Sequence, residues 1–243
     1  MPVLNRVTMK AFDRERNRHR TAILPCGSVE EHGAHLPLGT DTFHAEELAR
    51  AVSERIPVWV APALPYGLCR SSIQHPGTIG IRSDTLRMLV KDVVRSLYEQ
   101  GMRNVVIISG HAGGTHMASL VDAGEDLLAE LDEIKIAVLS VLDLGAAAWK
   151  DILETPRDSH AGEVETSLML YLYPECVHGT APEEYPFFPK HILVRNKRAF
   201  WPGGVWGNPR SSSAQKGEAF MERSVVALIE LIRKLETWSE DGQ

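Results

Sequence analysis

The sequence lacks most of what would take a chain out of the cytosol. No run approaches the roughly 18 apolar residues that a membrane-spanning helix needs. The first twenty residues, MPVLNRVTMKAFDRERNRHR, are charged and hold no apolar stretch, so no secretory leader is expected. Cysteine is scarce: Cys26, Cys69 and Cys176 form no C-x-x-C and cannot all pair. That excludes a disulfide framework and suits a reducing cytoplasm. Positive charge is not in excess either. A net charge of -6 with pI near 5.9 argues against a general nucleic-acid or membrane-surface binder. Internal repeats, linkers and low-complexity runs are absent as well. With 243 residues at 44% hydrophobic content, the chain can bury one substantial core, and one domain over residues 1–243 is the economical reading.

Strand and helix patterns alternate along the chain. Residues 21–25 read as a first strand, and residues 42–55 carry apolar side chains at helical spacing until Pro57. Residues 58–63 read as a second strand, followed by a Gly/Ser/Pro-rich loop over 65–78. A helix is expected over 84–100, with Leu86, Leu89, Val90, Val93, Val94 and Leu97 on one face and Gly101 as its stop. The β-branched run Val105 to Ile108 suits a buried parallel strand. Further helices are expected over 117–131, 163–173 and 218–238, and a fourth strand over 135–142. The alternation predicts an α/β fold, a three-layer α/β/α sandwich with a mainly parallel sheet.

The chemistry concentrates in Leu24 to His44, LPCGSVEEHGAHLPLGTDTFH. Glu30 and His32 are two apart, so on an extended strand they share a face. Asp41 follows a Pro- and Gly-containing stretch suited to folding back. A second segment, NVVIISGHAGGTH, ends its strand in a Gly-rich turn that presents His111. Open parallel sheets place ligands at such strand ends. Carboxylate and imidazole together suit Zn, Mn or Fe. A lone histidine at a strand end is ordinarily a hydrogen-bonding loop residue, and any single E-x-H is weak. The co-occurrence of Glu30, His32, Asp41 and His111 carries the metal-site reading.

The block GSVEEHGAHLPLGTDT closely resembles the signature of the creatininase (creatinine amidohydrolase) family. Further blocks keep the family order: HPGT at His75, SGHAGG from Ser109, HAGEVETS from His160, and GVWGNP from Gly204. The resemblance spans most of the chain. It implies an α/β metal-dependent amidohydrolase with two divalent metal ions per subunit, hydrolysing a non-peptide C–N bond. It also implies a homo-oligomer, often a hexamer. Residue by residue, it implies that Glu30, Asp41 and His111 hold one metal. His32 and Asp41 would hold the other, with Asp41 bridging. His160 matches the family's acid/base histidine. Glu165 would complete the second metal's own set of ligands or orient one of them. His35 supports the site from behind, and Glu31 is expected to be exposed.

The departures bear on substrate. True creatininases carry an aromatic residue and then a metal-binding Glu after the histidine matching His111, where this chain has Ala112 and Gly113. They also carry Trp and Glu shortly before the histidine matching His160, where this chain reads TPRDS from Thr155. The pattern is closer to relatives that deformylate a formamidopyrimidine nucleotide, or to the mycofactocin-precursor peptidase branch. The expected substrate is therefore a small amide, cyclic amide or formamide. The alternatives are a metallopeptidase trimming a short modified peptide and, less economically, a metal-binding protein without catalysis.

The segment from Val177 to Ser213 is poor in helix signals and rich in Pro, Gly and aromatics, among them Trp201 and Trp206. Ordinary loop packing is one reading, but long structured loops are often functional, so a pocket wall or subunit contact is expected. Lys190, Arg195, Lys197 and Arg198 cluster there. Such a cluster suits either an anionic substrate or a solvated basic face.

Overall fold

The computed structural model describes residues 3–239; residues 1–2 and 240–243, which the expected domain includes, lie outside the described residues. Four parallel strands form one sheet in the order β2-β1-β3-β4: β1 (Thr21–Cys26), β2 (Trp59–Val60), β3 (Asn104–Ser109) and β4 (Lys135–Ser140). Parallel neighbours require crossovers, and helices supply them. α2 (Thr40–Arg55), α3 (Ser83–Glu99) and α4 (Gly114–Glu130) make these connections, while α1 (Met9–Glu15) precedes β1 and α5 (Val141–Ala148), α6 (Glu163–Leu172) and α7 (Ala214–Thr237) follow β4.

The pleat of β1 divides the core. Ile23 faces a cluster built with Leu48 and Val52 of α2, Leu168 of α6, and Phe220 and Leu228 of α7. Ala22, Leu24 and Cys26 face the opposite way, towards Leu86, Val90 and Val94 of α3 and Leu120 and Leu127 of α4. Successive side chains on a strand point to opposite faces, so both faces of the sheet are buried under helices. This is the three-layer α/β/α arrangement expected from the sequence.

Several boundaries differ for local reasons. The second strand is confined to Trp59–Val60, between Pro57 and Pro62, which cannot donate to a ladder. The fourth strand stops at Ser140 rather than 142. There the Ser140 hydroxyl caps Asp143 while the Asp143 carboxylate accepts from the Ser140 N–H, a capping box that starts α5. Helix α1, unread in the charged N-terminus, is capped by Thr8 and packs Phe12 on Trp59 at 4.8 Å between ring centres. The last helix starts at Ala214, four residues early, because the Ser213 hydroxyl accepts from Lys216 N.

The register places the chemistry. Cys26 pairs with Ser109, so β1 and β3 end side by side. The chain leaving β1 carries residues 30–32, and the chain leaving β3 carries His111. Gly110 makes their approach to α2 possible, since a Cβ there would overlap the Asp41 carbonyl. Asp41 thus sits in the first turn of α2, directly above the two strand ends. A carboxylate in that position is favoured by the helix dipole.

Candidate metal centre

Asp41 lies between two histidines, one at each oxygen. Its Oδ1 is 3.1 Å from His32 Nε2 and its Oδ2 is 3.2 Å from His111 Nδ1. At the His111 end, Glu30 Oε2 lies 2.7 Å from the same Nδ1. At the His32 end, Glu165 Oε2 lies 3.6 Å from Nε2. All five side chains are buried. Glu30 and His32 do not share a strand face as expected. The backbone after β1 is irregular, with isolated bridges at Val29 and His32 rather than a continuous strand, and it sends Glu30 to one end of Asp41 and His32 to the other.

Backbone carbonyls fix both rings. His32 Nδ1–H donates to the Glu30 carbonyl at 3.0 Å, leaving Nε2 to face the carboxylates. His111 Nε2–H donates to the Leu68 carbonyl at 3.4 Å, leaving Nδ1 to do the same. Metal-binding histidines are commonly oriented in this way. The carboxylates are oriented too: the Ser28 hydroxyl donates to Asp41 Oδ2 at 2.6 Å, and the Ser72 hydroxyl donates to Glu30 Oε1. At the other end Ala161 N donates to Glu165 Oε2 at 2.5 Å, with Ala161 itself at a φ of 49°.

The electrostatics describe a cluster in need of positive charge. Burial pushes the Glu30 carboxyl up, yet the charge and hydrogen bond of His111 outweigh it and hold the group down at about 2. Burial opposes ionisation of Asp41 as well, and His32 and His111 together hold it well below the usual range. Glu165 is lowered by His32 against the same burial. Burial disfavours the imidazolium forms of His32 and His111, but the facing carboxylates raise both well above 6.5. Three buried carboxylates with no Lys or Arg among them are balanced here only by protons on imidazoles. Glu, Asp and His oxygens and nitrogens facing one another in two groups are also a donor set for Zn, Mn or Fe. The residues present fit such ions.

His160 stands at the His32 end, with ring centres 4.2 Å apart. Its Nε2–H donates to the Glu31 carbonyl at 2.8 Å, and the Glu31 carboxylate lies 3.5 Å away. Burial and the charge of His32 lower its proton affinity. The Glu31 hydrogen bond and the charges of Glu30 and Glu165 more than restore it, so the net shift is upward. Glu31 is thus buried rather than exposed: its Oε2 accepts from Gly33 N at 3.0 Å, and its own N–H donates to Thr78. Gly204, at φ 66°, leaves the space this carboxylate needs, since a Cβ there would overlap it. His35 does lie behind the site, where its Nε2 meets the Thr166 hydroxyl at 2.9 Å beside Glu165.

Three neighbours had no role at the site read from the sequence. Cys69 places its sulfur within 4.8 Å of the Glu30 and His111 ligand atoms, and burial pushes its thiol up, so it is a neutral neighbour. His116 accepts from Leu68 N and shares a hydrogen bond with Ser109, whose hydroxyl holds the His111 carbonyl. It was visible as the final residue of GHAGGTH. Trp206 pairs its backbone with His160 in both directions, at 2.7 and 3.1 Å, and so fixes that histidine.

These groups open on a cavity of about 450 Å³ lined by Glu30, Asp41, His111, His160 and Glu165, and walled by Leu193, Lys197, Trp201 and Trp206. The aromatic segment is thus a pocket wall, held in place where His75 meets the Trp201 carbonyl at 2.6 Å. Ala112 and Gly113 also line the cavity, at the start of α4.

The profile of the creatininase family, described as creatinine amidohydrolase, matches residues 5–232. The creatinine amidohydrolase of Pseudomonas putida is 29% identical over 239 residues, with 87% of this chain and 88% of that protein covered. The mycofactocin precursor peptide peptidase of Mycobacterium tuberculosis is 31% identical over 232 residues, covering 89% and 84%. A crystal structure of creatinine amidohydrolase superposes with a TM-score of 0.85 at 26% identity, covering 98% of both chains. Creatininase is also known in a manganese form (TM-score 0.82, 28% identity, 96% and 97% covered). A mutant of it in a Zn-Zn form superposes at 0.83, with 27% identity and the same coverage.

Proposed function

Because this chain belongs to the creatininase family and is an amidohydrolase-type enzyme, we propose that it hydrolyses a small non-peptide amide, cyclic amide or formamide. The observation that carries this reading is the buried Asp41, whose two oxygens face two separate histidine–carboxylate groups. Glu30, His111 and Asp41 would hold one divalent ion, and His32, Asp41 and Glu165 a second, as Zn, Mn or Fe. Such ions supply an activated water at neutral pH and polarise a carbonyl. The protein would act in the cytoplasm as a homo-oligomer such as a hexamer, over one domain of residues 1–243, with no nucleic-acid or membrane partner. Among the described residues no helix is long and apolar enough to cross a membrane.

The rest of the work falls to this chain's own side chains. Amide cleavage requires a proton on the departing nitrogen, which is otherwise a poor leaving group. His160 is raised in proton affinity, lines the cavity, and has its Nε2 committed to the Glu31 carbonyl. Its Nδ1 is left as the nitrogen that hands a proton to substrate. Glu31 acts by fixing the ring and favouring its charged form. Trp201, its ring centre 5.0 Å from that of His160, shields this side from water. Without water, charge interactions in the cavity are strengthened.

A cavity of about 450 Å³ suits a small molecule, or one or two terminal residues of a peptide. Metal-loaded protein screened against creatinine, a formamidopyrimidine nucleotide, small lactams and short peptides tests the reading. A small amide other than creatinine should turn over fastest, because Ala112 and Gly113 offer neither aromatic stacking nor a carboxylate. Efficient cleavage of peptides alone would move the assignment to the peptidase reading. Protein that takes up no metal and hydrolyses nothing would end both.

A further inference from the structure

The site cavity does not stand alone. A second cavity of about 560 Å³ adjoins it, and the two share Leu68, Arg70 and Lys197 in their linings. The second adds Arg82 and Arg195. Four cations therefore line the two cavities, with Arg70 and Lys197 lining both. Among the described residues, apart from the proposed ligands Glu30, Asp41 and Glu165, the acid lining either cavity is Asp84, 3.6 Å from Arg82. Among the described residues, no carboxylate pairs with Arg70, Arg195 or Lys197.

The arrangement is built rather than incidental. Lys197 Nζ donates to the Arg70 carbonyl at 2.7 Å. The Gln74 side chain takes the Lys197 N–H at 2.7 Å and donates to the Arg195 carbonyl at 3.0 Å. Two segments far apart in sequence are thereby pinned so that their cations converge. Burial and the neighbouring Arg70 hold the Lys197 ammonium below its ordinary range, as expected where like charges meet without a counter-ion. Lys190 and Arg198, which the sequence groups with this cluster, line neither cavity. The first turns of α3 and α4, both without a side-chain cap, also end at these cavities and add to the positive potential.

We infer that the substrate carries an anionic group, a carboxylate or a phosphate, seated at the junction where Arg70 and Lys197 line both cavities. The inference deepens the amidohydrolase reading and rests on it for the amide end. Both anions accept charge-assisted hydrogen bonds from guanidinium and ammonium groups. The amide then reaches the Asp41 cluster while the anionic end points towards Arg195 and Arg82.

Calorimetric titration of the metal-loaded protein with inorganic phosphate and with succinate, at fixed ionic strength, tests the seat directly. Arg70→Gln and Lys197→Gln should each weaken the preferred anion roughly tenfold or more, with metal content unchanged. Arg198→Gln should change neither. The anion that wild type binds more tightly tells phosphate from carboxylate. If neither anion binds, or if binding ignores both substitutions, the inference is overturned. Arg70 makes no described side-chain hydrogen bond, so its variant decides the matter even if Lys197→Gln loosens the loop. A second readout uses amides in matched anionic and neutral forms, where KM should be lower for the anionic member and rise in the variants. Lost anion binding in the variants, with no amide hydrolysed by wild type, would sink the hydrolase reading and leave the seat standing. Efficient hydrolysis that favours neutral members would do the reverse.

Discussion

The two ends of Asp41 are built from different materials. At the His111 end, both imidazole and carboxylate follow directly from β1 and β3, strands paired in register over six residues and buried on both faces. At the His32 end, Glu165 sits in the first turn of α6, behind a residue in the left-handed region, and His160 is held by the loop that carries Trp206. One end is anchored to the sheet and the other to a helix tip and a strap of irregular chain. At the sheet end the Leu68 carbonyl and the Ser72 hydroxyl, from one loop, hold His111 and Glu30 in place. The helix end needs segments more than a hundred residues apart to arrive together.

The sharpest way to erase the difference is to remove what both ends share. Asp41→Asn should strip most metal from both positions and abolish activity, while the protein stays folded and soluble. Elemental analysis checks it, and two retained metals per chain would rule out a shared ligand. Removing one end at a time should restore the contrast. His111→Ala is expected to leave about one metal per chain, and Glu165→Gln to loosen only the other, read by metal stoichiometry under mild chelation. Equal loss in both variants would mean that the two ends load as a unit.

His160→Ala leaves the proposed ligands in place and probes the helix end alone. Both metals should remain, while turnover falls about 10²–10⁴-fold, as for loss of a general acid. The loss should shrink for substrates whose leaving nitrogen is a weak base, since these need less help to depart. A variant that drops a metal instead would make His160 a ligand.

The smallest effect concerns the floor beneath both ends. His44, on α2 three residues beyond Asp41, is fully buried, and burial holds its imidazole down at about 4. The unfolded chain binds this proton near 6.5 and the folded protein only near 4. Stability linked to it is therefore complete above about 6.5 and is lost as pH falls from 6.5 to 4. His44→Leu should remove roughly 1–2 kcal/mol of the stability change between pH 7 and pH 5. Urea midpoints of wild type and variant at the two pH values give the difference, and parallel pH dependences would refute it.

The same contrast explains what could be read from the sequence. The sheet end was legible because a β-branched run such as Val105 to Ile108 announces a parallel core strand, and Gly-rich turns after it mark strand ends. Such a turn marked His111 as a strand-end residue, and the family resemblance placed it with Glu30 and Asp41. Boundaries that depend on one hydrogen bond were not. The start of α5 hangs on the Ser140–Asp143 pair, while the apolar residues from Ile136 to Leu142, interrupted only by Ser140, read as strand. Glu31 looked solvated because adjacent acids usually are; it is buried because Gly204, far along the chain, leaves it room. The tie between His160 and Trp206 left no side-chain pattern at all. It is made of backbone groups, and backbone pairing has no residue signature outside regular strands.

That tie has a bearing on how such an enzyme changes its diet. The strap holds His160 through the amide and carbonyl of residue 206, groups that every amino acid other than proline brings along in full. Side chains along the strap, including Leu193, Lys197 and Trp201, face the space where substrate must sit. They can be exchanged one by one without unfastening His160, the proposed proton donor. Selection for a new substrate can thus rewrite the wall while the chemistry behind it keeps running.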